Sequence, residues 1–361
     1  MKRFLIILLC LIGSLFVVLF IPDFRHTSLL QPSGEQTSEI GIFNQKIEYI
    51  DSSPNMIHSL YRNGELLGVI FDEKELERHL KTVYEEKYES TYPDSRVYLD
   101  KDMYITDEKS YFRYTNADEE IINYIDSNQL YSLEATAVSF SDETDVFARI
   151  FVISQEIYEE AMNEYLSIFI DPTALNRITA GETISDLTTF GSQDIGISIA
   201  QTISTTREYA DIDEILTTKE EVLEYLQYGE NTEREYYTVQ KFDTVAGVGA
   251  KNNGLSATQI MNINRDKIFS TDQVLSEGEE LCVTYFTSPL EITVYKQELR
   301  ERPIYYETSY VEDDQYLIGE RKVTQEGVNG SRNVLYSQKW VNGVLLSGTE
   351  ISSVLISGSK E

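Results

Sequence analysis

Three histidines, His26, His58 and His79, are the only imidazoles in the 361 residues, and none lies beyond position 79. Catalysis by a histidine-assisted serine or cysteine therefore has no base in the last three-quarters of the chain. Glu75 and His79 stand four apart in "DEKELERHLKTVYEEKYE", which puts both on one face of a helix. Two ligands fall short of the three protein groups that a catalytic zinc needs, so a solvated ion pair is the expectation. The 61 acidic residues make any chosen carboxylate pair weak evidence for glycosidase chemistry, and Asp313-Asp314 reads as a turn. Cys10 and Cys282 are the only thiols; Cys282 lies in the apolar strand pattern "ELCVTYF" and reads as core. The expectation is a protein that is not an enzyme, with no cofactor and no metal.

Binding chemistry has better candidates near the C-terminal end. "YYTVQKFDTVAGVGAKNNGLSATQIMNIN" (236–264) begins as a short alternating strand. Asp243 is placed to cap a helix over 244–252 that buries Val245 and Val248. Gly254 suits a left-handed stop. Ser256 and Gln259 then form a capping box for a second helix with Ile260 and Ile263 inside. "GEELCVTYF" supplies a returning strand, giving β-α-α-β over 236–284.

This module resembles a LysM domain. The residues that carry the likeness are Tyr237-Thr238-Val239, Asp243-Thr244-Val245, Ile260 with Asn264, and Leu275-Ser276-Glu277-Gly278 ending at Leu281. Such domains bind N-acetylglucosamine in peptidoglycan or chitin. The resemblance implies a groove between two loops, with contacts from Asp243, Thr244, Val245 and Ala246 on one side and Asn264, Arg265, Asp266, Lys267 and Ile268 on the other. Two positions depart from the family pattern: Phe242 replaces its usual Gly, and Arg265 its common Pro.

The last stretch, 288–361, alternates apolar and polar residues with few large aliphatic side chains, so a thin, extended sheet is expected. Asn329-Gly330 and Asn342-Gly343 are hairpin signals. The stretch resembles the five-glycine (G5) domain of bacterial surface proteins, through Gly319, Gly327, Gly330, Gly343 and Gly358, the entry Ile304-x-Tyr306-Glu307-Thr308 and the "VEDD" before the first glycine. The likeness implies occurrence in cell-wall hydrolases and adhesins. The five glycines are expected to serve backbone conformation, and Trp340 cross-strand packing.

Ahead of these modules, residues 4–21 carry no charge behind Lys2-Arg3. About 18 residues at 1.5 Å each span roughly 27 Å, which predicts an uncleaved transmembrane anchor over 1–22 with its N-terminus inside. A polar linker follows over 23–45, then an acidic, Tyr-rich α+β region over 46–235. "HSLYRNGELLGVIF" signals a hairpin at Asn63-Gly64, and Leu76, Leu80 and Val83 one buried helix face. Glu119–Ile125 resembles Glu220–Leu226, suggesting two repeats, 46–133 and 134–235. The net charge of −31 excludes nucleic acid as a partner and leaves neutral sugars or proteins. The order of parts resembles the front half of membrane-anchored lysostaphin-type endopeptidases, without the peptidase domain. The expected fold class is α+β multidomain with a transmembrane helix. The expected role is non-catalytic peptidoglycan binding at the cell membrane, facing the wall; the alternatives are an envelope scaffold that binds proteins, or a hydrolase relative lacking its catalytic domain.

Overall fold

The computed structural model describes residues 39–231 and 233–360, which divide into two compact units. The first runs to Lys87 and resumes over Leu99–Tyr131. Its sheet joins β1 (Glu39–Ile40), β2 (Gln45–Arg62) and β3 (Glu65–Ile70) in that order, with β5 (Met103–Tyr114) on β2. Asn63 and Gly64 both take positive φ, 49° and 80°, forming the mirror-type turn whose twist matches the β2–β3 hairpin. Helix α1 (Glu73–Val83) follows because Asp72 accepts from the amides of Lys74 and Glu75, and it buries Leu76, Leu80 and Val83. Helix α2 (Asp118–Ser127) starts with the buried Asp118, whose two oxygens accept from the amides of Phe71 and Asp72 at 2.7 and 2.8 Å. One carboxylate thus ties the end of β3 to the start of α2.

The second unit comprises Tyr88–Tyr98 and the chain from Ser132 on. Its first sheet has the order β10 (Ile215–Leu216), β7 (Val146–Val152), β6 (Tyr131–Ser141) and β4 (Val97–Leu99), with β9 (Thr202–Asp211) also paired to β6. Helices α3 (Gln155–Leu166) and α5 (Lys219–Tyr228) cover Val138, Phe140, Ile150 and Val152 with Tyr158, Tyr165, Val222 and Leu226. Thr218 and Glu221 form a reciprocal capping box at the start of α5. Between α3 and α5 lies α4 (Pro172–Thr179), capped by Asp171.

Two smaller layers complete the unit. In one, β11 (Tyr236–Thr238) pairs antiparallel with β12 (Glu280–Cys282), and α6 (Val245–Lys251) and α7 (Ala257–Ile263) lie between them in sequence. Val239, Val245, Val248, Ile260, Ile268, Leu275, Leu281 and Val283 form its core. In the other, β15 (Val344–Ser357), β14 (Gly330–Val341), β13 (Ile292–Ile304) and β8 (Gly191–Ile199) form an antiparallel sheet in that order. Strand β8 comes from almost a hundred residues before β13, and no local pattern announces that pairing.

Several expectations need correction. The expected α+β multidomain class does not hold: the described residues are mostly strand, 40% against 23% helix. The reason is visible in β2. Its alternation breaks at Asp51, Ser52, Ser53 and Pro54, yet pairing with β5, some fifty residues later, resumes across a register shift between Ile50 and Asn55. Among the described residues no helix is long and apolar enough to cross a membrane. The expected anchor over 1–22, with Cys10, and the neighbouring His26 lie outside the described residues. The cap of α6 is Thr244, not Asp243: its hydroxyl accepts from the Gly247 amide at 3.0 Å. Asn329-Gly330 forms no hairpin; Gly330 opens β14 opposite Ile304, and the Asn329 side chain accepts from the Tyr306 amide at 3.2 Å.

Candidate functional site

The two loops singled out by sequence differ in what their side chains are free to do. On the first, Asp243 accepts from Lys251 Nζ at 2.6 Å, the Gln240 amide at 2.8 Å and the Tyr237 hydroxyl at 2.9 Å. The Lys251 hydrogen bond, with help from the Gln240 amide, holds the Asp243 carboxyl below its ordinary range and raises Lys251 in return. Asp243 is therefore an internal brace between β11 and α6. Val245 is in the core, Thr244 caps α6, and Ala246 is exposed.

On the second loop Asn264 is 2% exposed. Its amide donates to the carbonyls of Ile260 and Cys282, both at 2.9 Å, and accepts from the Cys282 N–H at 2.7 Å. A single side chain thus satisfies both backbone groups of Cys282 on β12. Arg265 donates to the carbonyls of Ser167 and Ile168 at 2.7 and 2.6 Å, tying the loop to the segment after α3, and burial lowers its pKa. Lys267 donates to the Glu280 carbonyl at 2.7 Å, and Ile268 is buried. Thr244, Ala246 and Asp266 are exposed and carry no brace of this kind to another element.

Three large apolar side chains stand exposed beside these loops. Phe242 is 89% exposed, Phe269 78% and Val274 91%. An isolated antiparallel bridge joins Thr244 to Val274, which brings the segment after Phe269 beside the first loop. Phe242 has φ of +70°, the left-handed region that a bulky L-residue rarely occupies. The ammonium of Lys241 lies 5.2 Å from its ring centroid. The available sequence signal was Phe242 standing where the LysM pattern has Gly, together with Phe269 just past Ile268.

In the C-terminal sheet the five glycines fall at different places. Gly343 follows Asn342 in the β14–β15 turn, with φ of 77° and 45°. A Cβ on Gly343 would sit 2.8 Å from the Tyr285 hydroxyl. Gly319 also has positive φ, in the long excursion between β13 and β14. Gly327 is closed in by the Tyr306 ring and Gly330 by the backbone near Ser357, whereas Gly358 faces open space. Trp340 packs partly buried against the core around α3 and α5, and its indole N–H donates to Gln338 Oε1 at 2.9 Å.

The remaining candidates do not converge. His79 Nε2 lies 2.8 Å from Asp126 Oδ1, and His79 lines an open groove of about 430 Å³ together with Glu75 and Arg78. Burial pushes the Asp126 carboxyl up, but hydrogen bonds from Tyr131 and His79 outweigh it and lower the pKa. His58 sits inside β2, 2.8 Å from Asp107. Asp313 accepts from the Gln315 amide, as a turn residue does. Among the described residues no group of three or more His, Cys, Asp or Glu side chains is arranged to hold a metal ion.

Comparison with known families finds a G5 domain over residues 295–361. That domain is associated with cell walls and the extracellular space, consistent with a cell-surface protein. No LysM match accompanies it. No curated protein and no solved structure matches the chain.

Proposed function

We propose that this protein is a non-catalytic, wall-facing surface protein that holds peptidoglycan through its LysM-like module, beside the G5 domain. The observation that carries the reading is the β-α-α-β arrangement of 236–283. The two loops of the sequence likeness lie at its helix ends, one bridged to a segment of exposed apolar residues. Two braced loops suit a ligand read by backbone amides and carbonyls, as an acetamido group is. The engaged side chains keep the loops rigid, which lowers the ordering cost of binding. A neutral sugar also escapes repulsion by the −31 charge of the chain.

The test is co-sedimentation of the full chain with purified peptidoglycan, followed by calorimetric titration with chitohexaose. Saturable pelleting and weak affinity for chitohexaose, on the order of micromolar to millimolar, are expected. Muropeptide release would point to hydrolysis instead. A protein-scaffold reading has one specific observation in its favour: β15 is exposed along its whole length at the sheet edge, with Leu345, Leu346, Ile351, Val354 and Leu355 open to solvent. Absence of both pelleting and sugar binding by folded protein would leave that reading ahead.

A further inference from the structure

We infer that Phe242 and Phe269 are aromatic contact residues of the sugar groove, and that the backbone strain at Phe242 is kept for that contact. The inference rests on the glycan-binding reading and specifies how the ligand is gripped.

Three observations support it. Phe242 projects its ring into solvent from a left-handed backbone, which a non-glycine residue adopts only at a free-energy cost. Glycine would remove that cost, so stability alone argues against phenylalanine at this position. Apolar burial does not offset the cost either, since the ring is 89% exposed. Phe269 is the second case: it leaves the other loop directly after the buried Ile268, and its amide donates to Gln273 Oε1 at 2.9 Å, which fixes the turn from which the ring projects. The Thr244–Val274 bridge then joins the two segments that carry the rings. The C–H face of a pyranose is apolar, and a rigid ring with two torsions covers it at little entropic cost.

The test compares F242A, F242G and F269A in the full chain, by chitohexaose calorimetry and thermal unfolding. F242A removes the ring and keeps the left-handed backbone; F242G removes both. Each of the three variants is expected to weaken sugar binding about five- to tenfold, the range for loss of one aromatic contact. F242G is expected to melt a few degrees above F242A, because glycine relieves the strain. Wild-type binding that all three variants leave unchanged would overturn the inference while sparing the function. A wild-type chain that binds no sugar would overturn both. If the variants alter self-association in sedimentation velocity and leave sugar affinity intact, the rings serve a second copy of the chain and the inference fails.

Discussion

Replacing Asn264 by alanine separates a structural role from a ligand role at a position where the sequence likeness implied glycan contact. The side chain makes three hydrogen bonds in a site that is 2% exposed. Truncation leaves the N–H and C=O of Cys282 without those partners on a buried strand. A buried polar group left unpaired costs about 1–3 kcal/mol. Two such groups set a range of about 2–6 kcal/mol, and partial access of water to the space vacated by the amide brings the expectation to about 3 kcal/mol. Trp340 is the only tryptophan, and it packs on the core of the same unit, so its fluorescence follows that unit's unfolding. Urea denaturation of wild type and N264A, fitted with a common m-value, gives the difference directly. The N264D variant retains one acceptor but buries a carboxylate, and should be no better than alanine at neutral pH. A loss below about 0.5 kcal/mol in N264A, combined with weaker sugar binding, would refute the reasoning and return Asn264 to the ligand.

Two further outcomes are expected. Asp243 has a depressed pKa in the folded state, so its brace to Lys251 stabilises above the ordinary carboxylate pKa of about 4, and that contribution is lost as pH falls through the lower folded value. Wild type should therefore exceed D243N in stability at pH 7, and the two should converge in acid; equal stability at both ends would refute the brace. Alanine at Gly343 must adopt φ near 77° with its Cβ 2.8 Å from the Tyr285 hydroxyl, so G343A should lose about 2 kcal/mol, read by Trp340 fluorescence in urea.

Local order was legible where neighbouring residues in the chain decide it. Asn63-Gly64 and Asn342-Gly343 make turns because left-handed geometry is available to those residues themselves, and Leu76, Leu80 and Val83 share a helix face by spacing alone. The "SATQ" capping box and the apolar interior of 236–284 formed for the same reason. The five-glycine pattern was similarly readable, because glycine spacing is a property of the string. What the string could not carry was partner choice across long separations. Asn329-Gly330 has the same dipeptide as a hairpin turn, yet Gly330 pairs with Ile304 across a long excursion. Strand β8 closes the sheet of β13 from almost a hundred residues upstream, and β5 carries β2 through a stretch with no alternation. The candidate site residues divide along the same line. Types and spacing pointed to Asp243, Asn264 and Arg265, but only tertiary structure determined that their polar atoms are already bonded, to Lys251, Cys282 and Ser167. It likewise left Phe242 and Phe269 open to solvent, since exposure depends on which neighbours arrive and a single chain of letters does not record their arrival.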